Sequence, residues 1–140
     1  MNFSRLALAA VSAWVLSLVL GFVVNTWVMA DIVRAHAHVF RPEAEMNLPL
    51  GFAAQLVAFF AFAYMYAKGY EGTAGLQEGL RFGVLVGLLL IGFATTWNYV
   101  VLPVSATLGV YWAVDMLLEM AIYGAVVGFL YRPRPSVQRP

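Results

Sequence analysis

No cysteine occurs among the 140 residues. That absence excludes disulfides, thiolate metal sites, iron–sulfur clusters and cysteine nucleophiles. Charge is scarce as well: Asp, Glu, Lys and Arg make up 11% of the chain, against about 25% in an ordinary soluble domain. The net charge is +1 and no basic run is present, so nucleic acid is not expected as a partner. Histidine is limited to His36 and His38, which share one segment, and no serine stands out beside them. A Ser–His–Asp set is therefore missing. The glycine-rich stretch from Gly69 to Gly79 lacks the lysine and the preceding strand of a phosphate-binding loop. No cofactor is expected.

What the chain has in excess is apolar residues. They form 63% of it, and the mean hydropathy is +0.82. A soluble domain of this length cannot hide so much apolar surface, because small domains leave a large share of their surface exposed. A transmembrane helix needs about 20 mostly apolar residues. Four stretches qualify: Leu6 to about Met29, Leu48 to Ala67, about Leu80 to Leu102, and about Ala106 to Tyr131. The expected fold is an all-α membrane protein, one domain over residues 1–140, with four transmembrane helices in an antiparallel bundle. Arg5 and the segment Val28-Met29-Ala30 give the first stretch some look of a signal peptide. Its apolar run is longer than the about 7–15 residues of such a segment, so it reads as an uncleaved helix.

Basic residues set the orientation. With a cytoplasmic N-terminus, Arg5, Lys68, Arg81, Arg132, Arg134 and Arg139 lie inside, and only Arg34 and Arg41 lie outside. Both termini are expected in the cytoplasm and residues 30–47 outside. In that outer loop Ile32, Val33, His36 and Phe40 recur at helical spacing. This predicts a short interfacial helix ending at Pro42. Residues 68–79 are rich in glycine, which predicts tight turns between the second and third helices. Pro103 ends the third helix, and so short a link to the fourth predicts a hairpin. A faint repeat relates Gly21-Phe22-Val23-Val24-Asn25-Thr26-Trp27 to Gly92-Phe93-Ala94-Thr95-Thr96-Trp97, in the manner of a two-plus-two duplication.

Polar groups are expensive inside a bilayer, so their depth is informative. Asn25, Gln55, Thr96 and Asn98 fall in the outer half of their helices, with Trp27, Trp97 and Trp112 nearby. Glycines repeat every four residues in the inner half, at Gly79, Gly83 and Gly87 and again at Gly124 and Gly128. Small residues at this spacing let backbones approach closely. The pattern predicts a bundle that is tight near the cytoplasm and wider outside, where a polar, aromatic-lined cavity opens. An interfacial belt is the simpler role for the tryptophans.

The fourth helix carries a stripe. Tyr111, Asp115, Glu119 and Tyr123 recur every four residues. Its two carboxylates repel each other if both ionise, and no arginine or lysine lies within a span. This suits a proton carrier, a cation site or a general acid; a hydrogen-bonded clasp with Asn25, Gln55 or Asn98 is the structural alternative. His36 and His38 read as solvated loop residues, with metal ligation as the competing reading. Neither lies in a span, which argues against a haem held between two histidines.

Three motifs resemble a known group. Ala67-Lys68-Gly69-Tyr70-Glu71-Gly72, Glu78-Gly79-Leu80-Arg81-Phe82-Gly83 and Tyr131-Arg132-Pro133 resemble a group of small bacterial four-helix integral membrane proteins to which no activity is assigned. The resemblance covers residues 60–133 and implies a bacterial cytoplasmic membrane and a similar bundle. The chain is also similar in size to small multidrug exporters. Their essential glutamate lies in the first helix, where this chain has no carboxylate before Asp31.

Three functions fit these features. The leading one is a non-enzymatic accessory or lipophilic-ligand-binding protein, in contact with membrane lipid and either a homo-oligomer or a subunit of a larger membrane complex. The second is a small oligomeric proton-coupled transporter using Glu119 and Asp115. The third is an intramembrane isomerase or cyclase on an isoprenoid-like substrate, with Asp115 or Glu119 as acid and Trp97 or Trp112 stabilising positive charge.

Overall fold

A computed structural model describes residues 1–72 and 74–131. The expected cytoplasmic Arg132, Arg134 and Arg139, and the Arg132-Pro133 part of the third motif, lie outside the described residues. The helices are α1 (Phe3–Val23), α2 (Ala30–Ala35), α3 (Leu48–Lys68), α4 (Gly75–Leu90), α5 (Thr96–Val101) and α6 (Ala106–Leu130). A π-helical turn, Val24–Val28, extends α1, and a second one, Ile91–Thr95, joins α4 to α5. Among the described residues four spans are long and apolar enough to cross a membrane: Phe3–Val28, Leu48–Lys68, Gly75–Val101 and Ala106–Leu130.

Local chemistry accounts for the starts. The Asn2 side chain accepts from the Arg5 N–H at 3.2 Å, and Asn47 accepts from the Leu50 N–H at 3.2 Å. Ser105 Oγ accepts from the Leu108 N–H at 3.2 Å. Each occupies an N-cap and satisfies a backbone donor that the first turn leaves free. Pro49 sits in the first turn of α3, where a missing N–H costs nothing. α5 stops at Val101, two residues before Pro103.

Two expected boundaries move. The third span begins at Gly75, not Leu80, because Gly75 and Gly79 are helical and belong to the packing stripe rather than to the turn. The remaining turn is short and uses Gly72, whose φ of 83° is the one positive value among the described residues. The short helix expected between the first two spans, α2, ends at Ala35 rather than at Pro42. Two 3-10 turns follow it, Ala37–Val39 and Glu43–Glu45. Its stop is set by His36, whose Nδ1 lies 2.8 Å from Ile32 O and whose Nε2 accepts from the Ser105 N–H at 3.2 Å. These partners require the neutral ring with its proton on Nδ1. His36 thus ties the loop to the start of α6. We expect His36→Ala to cost about 1 kcal/mol and to speed amide exchange at Ser105; unchanged exchange there would show that the tie is idle.

The glycine stripe forms the tightest seam. A Cβ placed on Gly79 would meet Gly124 O and would stand 2.8 Å from Gly128 Cα; one on Gly124 would stand 2.7 Å from Gly83 Cα. Gly75 faces Gly128, Gly83 faces Met120 and Ala121, and Gly87 faces Leu117 and Met120. Numbers rise along α4 as they fall along α6, so these two helices run antiparallel. The seam loosens with distance from the α4 start: at Gly87 the nearest added contact is 3.2 Å.

On the other side, α1 packs against both α3 and α6 through Leu6, Ala9, Ala10, Ala13 and Ser17, a buried face at helical spacing. Phe59, Phe62, Ala63 and Tyr66 of α3 and Tyr123 and Val127 of α6 complete the core. The backbones of α3 and α4 stand apart, whereas α4 lies close along α6 and α1 approaches both α3 and α6. Side chains bridge them: Phe62 lies 4.8 Å from Phe82, and Tyr66 lies 5.6 Å from Phe82, centroid to centroid. Tyr66 also donates to Gly75 O at 3.2 Å. The expected contrast between a tight end and a looser end is therefore present: burial concentrates at the α4 start and the α6 end.

Candidate functional site

Where the aromatic bridge stops, a cleft of about 410 Å³ opens between α3 and α4. Its floor is α6. Ala58, Phe59, Phe62 and Met65 form the α3 wall, Val86 and Leu90 the α4 wall, and Met116 and Met120 part of the floor. Three polar side chains interrupt this apolar lining: Gln55, Glu119 and Tyr123. Tyr123 is 1% exposed. Its hydroxyl and Glu119 Oε1 are both buried, and neither makes a hydrogen bond of good geometry to the described residues, although the two side chains stand one turn apart and close enough to interact. The Phe59 ring lies edge-on to Tyr123, with centroids 5.1 Å apart. By helical rise, Glu119 stands about 20 Å from Ala106 and about 17 Å from Leu130, near the middle of its span.

The helix geometry explains which members of the stripe reach the cleft. With 3.6 residues per turn, each step of four residues rotates by about 40°. Tyr123 and Glu119 fall within the opening, and the stripe then drifts away from it. Asp115 is half-buried and Tyr111 is exposed; neither lines the cleft.

The other candidates are dispersed. Asn25 is exposed, and its side-chain amide donates to Gly21 O of its own helix at 2.8 Å. Trp27 is 72% exposed and meets only the Phe22 ring among aromatic groups. Trp97 is 61% exposed, and Asn98 is exposed beside it. Thr96 lines a separate recess of about 260 Å³ with Thr95, Tyr99 and Gly109. Trp112 packs against Phe40 of the segment between α2 and α3, centroids 6.3 Å apart. Gln55 also borders a shallower recess under the loop, with Arg41, Asn47 and Phe52. Of the expected cavity residues, the structure brings together Gln55, Glu119 and Tyr123. None of the proposed clasp partners bonds the Glu119 oxygen Oε1.

The His36 and His38 rings stack with centroids 6.3 Å apart, because the chain leaves α-helical geometry between them. Among the described residues no group of three or more His, Asp or Glu side chains is placed to hold a metal ion.

Phe59, Phe62, Met65, Val86 and Met120 were not foreseen as site residues. Only their position around Glu119 distinguishes them, and no periodicity reveals it in helices that are apolar on every face. Trp14 adds a further orphan: its indole N–H is buried without a partner.

No family model matches the chain, and comparison with curated proteins and with solved structures found no match.

Proposed function

We propose that this protein binds a lipophilic molecule in the cleft between α3 and α4, within a bacterial cytoplasmic membrane. In this reading the four spans form an antiparallel bundle with both termini in the cytoplasm. Arg5, Lys68 and Arg81 then lie on the inner side, and α2 lies along the outer surface. The observation that carries the proposal is the pair of buried, unpartnered oxygens on Glu119 and Tyr123 in an otherwise apolar opening. An unsatisfied buried group costs about 1–3 kcal/mol. A ligand that offers a donor to both oxygens would recover that cost, while apolar walls cover its tail. The volume lies within the about 300–1,000 Å³ of ordinary ligand pockets. Binding is favoured over chemistry on an isoprenoid, since Trp97 and Trp112 line no part of the cleft.

The test separates binding from architecture. Glu119→Met replaces the orphaned carboxylate with an apolar side chain of similar length. It is expected to stabilise the ligand-free protein by about 1–3 kcal/mol. Lipid extract from the source membrane should raise the thermal midpoint of the parent protein and leave that of Glu119→Met unchanged. Destabilisation by Glu119→Met, or an extract without effect on the parent, would count against a ligand site.

A further inference from the structure

We propose that the ligand is a lipophilic amine, held with its ammonium head on Glu119 and its tail between α3 and α4. This inference rests on the binding reading above and adds the chemistry of the occupant.

The lining selects by charge. Among the described residues its one carboxylic acid is Glu119, and none of those lining it is Lys, Arg or His. An anionic head, such as a fatty-acid carboxylate or a phosphodiester, would meet Glu119 with no counter-charge in reach. A purely apolar molecule would leave Glu119 Oε1 and the Tyr123 hydroxyl as unsatisfied as they are without it. A head that donates hydrogen bonds satisfies them, and an ammonium does so with three donors. Three polar side chains border the opening for it: Glu119, Tyr123 and Gln55.

Two further features favour a cation over a neutral alcohol. The acid stands near the middle of its span, where a charge-assisted hydrogen bond is little screened by water. The rings of Phe59, Phe62 and Tyr123 surround the same opening, with Phe59 to Tyr123 at 5.1 Å and Phe59 to Phe62 at 6.3 Å. Aromatic faces attract a cation more strongly than a neutral hydroxyl. The thioethers of Met65, Met116 and Met120 give walls that adapt to tails of different shape.

The experiment uses three probes of one chain length: dodecylamine, dodecanol and dodecanoate. Each is titrated at neutral pH into the full chain in an uncharged detergent and followed by native mass spectrometry. Ala58→Phe, which closes the cleft, gives the background of non-specific uptake. Above that background, dodecylamine should bind at least tenfold more tightly than dodecanol, and dodecanoate should not bind. Glu119→Gln should bring the amine down to the level of the alcohol, and Tyr123→Phe should weaken both. Equal binding of amine and alcohol, or an amine preference that survives Glu119→Gln, would overturn the amine assignment and leave the lipophilic cleft standing. No probe above background would overturn both. Should Glu119→Gln fail to fold, the ranking of the three probes on the parent protein decides.

Discussion

Gly79→Leu is expected to prevent the protein from folding to a stable monomer, and Gly79→Ala is expected to cost about 1–3 kcal/mol. At this position even one added carbon would meet Gly124 O and press on Gly128 Cα at 2.8 Å. Both neighbours are backbone, so no side chain can swing aside. The only relief is to part α4 from α6, the most extensive seam in the bundle. In a bilayer that loss is not offset by hydrophobic collapse, because lipid tails are as apolar as leucine and helix association rests on close packing. Gly21 provides the control. Nothing lies within 4 Å of a Cβ added there, so Gly21→Ala should be neutral or stabilising by about 0.5–1 kcal/mol through reduced chain entropy. Thermal unfolding of the three variants in one detergent checks the set. Equal midpoints for Gly79→Ala and Gly21→Ala would refute the close approach.

Ala58→Phe is expected to abolish ligand binding, by tenfold or more, without loss of the fold. Ala58 lies on the cleft wall and is itself exposed. A phenyl ring there fills space that belongs to the ligand rather than to the core of Phe59, Phe62, Ala63 and Tyr66. Circular dichroism and the thermal midpoint should stay near those of the parent, while uptake of a lipophilic probe disappears. Loss of helix content would instead mean that the space is needed for packing. The substitution differs in kind from Gly79→Leu: one overfills a closed seam, the other an open one.

The two seams show why much of the fold was readable and the site only partly so. Length and apolarity alone locate four spans, since nothing else explains so many apolar residues with so few charges. The start of α4 was misplaced because glycine carries two opposed signals. Its local propensity favours a turn, while its lack of a side chain suits helix contact, and the deciding partner, Gly128, lies far along the chain. The π-helical turns at Val24–Val28 and Ile91–Thr95 fall in or beside the repeated Gly-Phe segments, yet no residue type announces such a turn. Glu119 was legible as a candidate because a carboxylate in mid-span is costly wherever it faces. Asn25 follows the same logic differently: by bonding Gly21 O it satisfies part of its amide within its own helix and needs no neighbour for that bond. The cleft wall was illegible, for Phe59 facing the core and Phe60 facing outward look alike in a helix that is apolar all round.

The central claim is that α3 and α4 stand apart around Glu119 because a ligand belongs between them. Its most direct test is native mass spectrometry of the protein extracted gently from its own membrane, beside Ala58→Phe treated identically. The account predicts an added mass of a few hundred daltons on the parent chain and a bare Ala58→Phe. A bare parent, or the same added mass retained by Ala58→Phe, would contradict it.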